Sequence, residues 1–76
     1  MLTPMSIGPA PQRVSENVTI GRNVLKAFTF GTDDIKVDYM RFIRRMSQLG
    51  VSTAGSNEAL GILGIKMDSQ GILVQH

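Results

Sequence analysis

The sequence predicts a small, mainly α-helical domain: an antiparallel helical hairpin over about 16–29 and 33–49, then a short helix and a C-terminal β-hairpin. Three observations predict it. Apolar residues recur at helical spacing through two consecutive segments; Phe30-Gly31-Thr32 interrupts them; and β-branched residues flank an Asp68–Gly71 turn signal near the end.

Residues 1–14 hold all three prolines (Pro4, Pro9, Pro11) with Gly8 and no apolar periodicity, so they read as an extended arm ahead of a single domain over 15–76. Ser15 is the expected N-cap of the first helix, with Glu16 at its positive end. At about 100° per residue, Val18, Ile20, Val24, Leu25, Ala27 and Phe28 share one half of the wheel, and Arg22, Asn23, Lys26 and Thr29 the other. A strand is the alternative, because Val18, Thr19, Ile20 and Val24 are β-branched. Gly21 falls on the apolar side, where a missing side chain permits close helix approach.

Gly31 reads as the residue that stops this helix, and Thr32 as the cap of the next, with Asp33 and Asp34 in its first turn. So short a connection implies antiparallel neighbours. The second helix is the clearest periodic signal: Ile35, Tyr39, Phe42, Met46 and Leu49 are spaced 4, 3, 4, 3, and Met40 and Ile43 widen the seam. Gly50 ends it, and Val51 supplies the apolar contact that accompanies a glycine cap.

Ser52–Ser56 reads as a loop, Ser56 as the cap of a short helix over about 57–63, and Ile65–Met67 with Ile72–Val74 as the arms of a hairpin. A second small helical turn is the competing reading of that last stretch. Asp68 and Gly71, three apart, match the first and last positions of a type I turn.

Composition narrows the chemistry. Without cysteine there is no disulfide, thiolate nucleophile or sulfur-ligated zinc. The one histidine, His76, is the last residue of the sequence and cannot by itself build a catalytic triad or an ordinary zinc site. We therefore expect no enzyme activity, no metal and no cofactor. No apolar run approaches the ~20 residues needed to span a bilayer, and no basic, apolar leader pattern opens the sequence, so the expected location is cytoplasmic. The glycines match no phosphate-binding fingerprint, and Asp33, Asp34 and Asp38 lack the spacing of a calcium loop.

Two surfaces are candidates. Arg41, Arg44 and Arg45 lie within about a third of the second helix's wheel, and an antiparallel hairpin would bring Arg22 and Lys26 near them as an anion or nucleic-acid surface. The preferred account is a solvated face on which Asp38 pairs with Arg41, since Asp34 and Asp38 share that face with the arginines. The second candidate is apolar. The seam of the second helix is wider than one facing helix covers, and Val24, Phe28, Tyr39, Met40 and Ile43 are its expected protein interface.

A chain of this length leaves about sixty residues for a core, and such domains bury only about 60% of their unfolded surface. With no disulfide or metal, association is the remaining stabiliser. The expected function is thus a small non-enzymatic protein-binding or oligomerising module, pairing with itself, as a dimer, or with a host factor. Small regulatory and virus-encoded inhibitor proteins share this size and composition. A structural subunit of a larger assembly is one alternative.

The other alternative is a DNA-binding regulator, because helix, loop, short helix and hairpin in that order resembles a winged helix-turn-helix. The resemblance places Asn57–Leu63 in the reading position. That segment holds Asn57 and Glu58 but no lysine or arginine, and the hairpin offers only Lys66. Phosphate contacts supply most of such a protein's affinity, so the deficit counts against it.

Overall fold

The computed structural model describes residues 11–29 and 35–75. It is mainly helical with a small three-stranded antiparallel sheet: α1 (Pro11–Thr29), β1 (Val37–Asp38), α2 (Tyr39–Gln48), α3 (Thr53–Leu63), β2 (Ile65–Met67) and β3 (Ile72–Gln75). The arm over 1–10 and the Thr32 cap with Asp33 and Asp34 lie outside the described residues.

Helix α1 starts four residues before Ser15, at Pro11, taking in the end of the expected arm. Proline is favoured at a first helical position because its fixed φ suits the helix and no N–H is needed there. Ser15 is therefore interior, and its carbonyl accepts a bond from Thr19 Oγ1 at 3.1 Å. Gly21, Val24 and Leu25 are buried, with Ile20 and Phe28 partly covered beside them.

The second helix does not begin at Asp33. Ile35-Lys36-Val37-Asp38 alternates apolar and polar, and its last two residues form β1, which pairs antiparallel with β3 through Val37↔Leu73 and Asp38↔Ile72. Val37 is buried, and that burial favours strand over a further helical turn. Asp38 then caps α2, its side chain accepting from the backbone N–H of Met40 at 2.8 Å and Arg41 at 3.3 Å. Phe42 and Met46 fill the core from α2.

The end of α2 follows expectation. Val51 N–H bonds Met46 C=O, and Gly50 N–H bonds Ser47 C=O, both at 3.0 Å, the paired bonds of a Schellman motif. Helix α3 begins at Thr53, four residues earlier than expected. Ser52 is its cap, accepting from Gly55 N–H at 3.1 Å, while Ser56 is buried and donates to the Ser52 carbonyl at 2.9 Å.

The hairpin is as expected. β2 and β3 pair antiparallel through Ile65↔Gln75, Lys66↔Val74 and Met67↔Leu73, and the sheet order is β1-β3-β2. Asp68 organises the turn by accepting from Gln70 and Ile72 N–H at 2.8 and 2.9 Å, and Gly71 takes the positive φ (80°) that closes it.

Every element contributes to one core, from Val24 and Leu25 of α1 to Leu73 of β3. The sequence reading made α2 the partner of α1, but α1 makes its broadest contact with α3. Small residues permit it: a Cβ on Gly21 would lie 3.2 Å from that of Ala59. β1 lies between α1 and α2 in sequence and pairs with β3, the second strand of the hairpin.

Candidate functional site

Helix α2 sorts its side chains around the buried Phe42. Arg41 and Arg45 lie about 100° and 60° to one side, and Tyr39 and Ile43 about 60° and 100° to the other. Contacts identify the two flanks. Arg41 stacks its guanidinium carbon 5.3 Å from the Phe28 ring centroid of α1, whereas the Tyr39 hydroxyl donates to Asn57 Oδ1 of α3 at 2.8 Å. The arginine flank faces α1 and the tyrosine flank faces α3.

This division separates cations that the sequence reading grouped. Arg41, Arg44 and Arg45 line a shallow depression with Phe28 and Gln48, and Arg45 Nη1 donates to Gln48 Oε1 at 3.3 Å. Arg22 and Lys26 line a different cavity, of about 270 Å³, on the opposite flank of α1 beside Leu25, Leu63 and Ile65. They point there because α3 and the hairpin, rather than α2, cover that side. The expected Asp38–Arg41 ion pair is absent among the described residues: the Asp38 carboxylate caps the helix instead.

The five expected interface residues also divide. Val24 is 4% exposed and belongs to the core, so it is not available as a surface anchor. Phe28, Tyr39 and Ile43 are half-buried against the core, and Met40 is 64% exposed. Sequence reasoning missed three exposed apolar side chains, Leu49, Ile62 and Met67. The helical spacing puts Leu49 on the buried seam, but the helix ends there and the side chain is exposed.

The exposed face of α3 and the hairpin is short of cations. The exposed side chains of α3 include Thr53, Ala54, Asn57 and Ile62, with no cation, and the hairpin adds Lys66 beside Met67 and Asp68. In α3, Glu58 Oε1 is buried with no hydrogen-bond partner among the described residues.

Among the described residues, no group of three His, Cys, Asp or Glu is placed to hold a metal ion. None of the described helices is long and apolar enough to cross a membrane. No protein-family model matches the chain, and neither a curated protein nor a solved structure is significantly similar to it.

Proposed function

We propose that this protein is a non-enzymatic winged-helix module that acts by binding another protein. One observation carries the reading. On a helix-turn-helix that reads duplex DNA, α3 and the hairpin meet the phosphates, yet here they expose a single cation, Lys66, beside Ile62 and Met67. A DNA-binding domain with about 6–10 phosphate contacts draws most of its affinity from cations on that face. A face with one cation and large apolar side chains favours a protein surface instead.

A photo-reactive amino acid at Met40 tests this. Cross-linking in a native extract is expected to yield protein adducts. Sedimentation equilibrium on the purified chain then separates a second copy from a different partner, since only self-association makes its mass depend on its own concentration.

Duplex DNA is the second reading, favoured by the element order and by the Tyr39–Asn57 polar pair at the start of the helix-turn-helix. Its signature is salt-dependent binding of random-sequence duplex, weakened by Arg41→Ala and Arg44→Ala. That result overturns the protein-binding reading if Met40 cross-links to no protein.

A further inference from the structure

We infer that the groove between α1 and α2 is a docking site for an acidic amphipathic helix of a partner protein, an inference that rests on the protein-binding reading above. Two adjoining depressions, of about 220 and 150 Å³, share Arg45 and form one groove, from Ile20 and Leu49 at one end to Phe28 and Arg41 at the other. Its floor is mainly apolar, with Ile20, Ala27, Phe28 and Leu49, and Asn23 and Gln48 add two amides. One wall is cationic, formed by Arg41, Arg44 and Arg45, and among the described residues no carboxylate pairs with any of the three.

A mainly apolar floor beside guanidinium groups that meet no carboxylate among the described residues specifies its occupant. Apolar anchors spaced i, i+3/i+4 and i+7 would lie on the floor, and carboxylates along one edge would meet the arginines. The groove follows α2 from Arg41 to Gln48, about 10 Å or two helical turns, which suits a short helical segment. Arg41 is already held against Phe28, so part of the ordering cost of a guanidinium–carboxylate contact is met before binding.

A second copy of the chain fits less well. Two-fold pairing through this groove would set the same three arginines against one another. Duplex DNA also fits less well, because phosphates have no use for the apolar floor.

The test uses the full chain and a fluorescein-labelled synthetic amphipathic helix with leucines at i, i+4 and i+7 and glutamates along one flank. The expected result is binding about tenfold tighter than that of the same peptide with glutamine for glutamate, a preference that salt erodes. Arg41→Glu with Arg45→Glu should abolish the preference. Ala27→Glu, an exposed position on the floor, should abolish binding, and circular dichroism should confirm that each variant keeps its fold.

Equal affinity for the glutamine peptide, or undiminished binding by the double arginine variant, overturns the proposal. So does displacement of the peptide by duplex DNA whose own binding is lost in the same variant. If a protein cross-linked at Met40 survives Arg41→Glu with Arg45→Glu, the groove is not its site, although protein binding stands.

Discussion

Tyr39 and Asn57 join α2 and α3 by one hydrogen bond, the phenol donating to the amide oxygen at 2.8 Å between residues eighteen apart in sequence. Asn57 is exposed and Tyr39 half-buried, so water can replace the bond. Tyr39→Phe and Asn57→Ala should each cost no more than about 1 kcal/mol. A double-mutant cycle followed by urea denaturation should give a coupling of about 0.5 kcal/mol. Strict additivity would mean that the bond contributes nothing to the α2–α3 geometry.

The cap of α2 carries a larger effect. Asp38 accepts from two backbone N–H groups and also ends β1 opposite Ile72. Asp38→Ala removes the acceptor and should destabilise by about 1–2 kcal/mol, while Asp38→Asn, which keeps an acceptor oxygen, should recover most of that. Thermal melts of both variants check the difference. Equal losses would locate the contribution of Asp38 in its charge rather than in the cap.

What the sequence made legible follows from how local each signal is. The Phe42–Met46 seam, the Gly50–Val51 stop and the Asp68–Gly71 turn are written within a few residues, and all three form as read. Strand β1 is not legible in that way. Ile35 fits the 4, 3 spacing of a helix with Tyr39 and Phe42, and fits the period of two with Val37 equally well; only pairing with Leu73, far along the chain, decides between them. The start of α3 was hidden by small residues, since Ser52–Ser56 has the composition of a loop until Gly55 is needed for closeness to Asn17 and Val51. The site was less legible than the fold. Which cations share a surface depends on the rotation of α1 about its axis, and that is set by α3 and the hairpin taking the Arg22–Lys26 flank.

Glu58 should be replaceable at a gain. One carboxylate oxygen is buried without a hydrogen-bond partner among the described residues, and an unsatisfied buried acceptor carries a desolvation cost. Glu58→Met keeps a long, flexible side chain and removes that oxygen. It should stabilise the domain by about 1 kcal/mol, read as a higher urea midpoint at unchanged slope. A loss of stability would show that the glutamate side chain satisfies this oxygen in solution.

Gly21 and Ala59 set how closely α1 lies on α3. A methyl at residue 21 would sit 3.2 Å from Ala59 Cβ, with Met46 Cε at 3.7 Å and Leu63 Cδ1 at 3.8 Å. Alanine in a helix interior is ordinarily worth about 1 kcal/mol over glycine, so propensity alone predicts that Gly21→Ala stabilises. Two opposing effects therefore meet at one atom. The methionine and leucine ends can swing aside, but Ala59 Cβ is fixed to the α3 backbone, and relief requires the helices to part. Overpacking of this kind typically costs about 1–3 kcal/mol, so Gly21→Ala should lose stability on balance, and Gly21→Val should lose more. Ala59→Gly should cost about 1 kcal/mol alone through propensity. Combined with Gly21→Ala it should restore the spacing, giving a favourable coupling of at least about 0.5 kcal/mol in the double-mutant cycle. A stabilising Gly21→Ala, or strictly additive losses, would mean that α1 and α3 are not in the close contact on which the placement of Arg22 and Lys26 away from the α2 arginines depends.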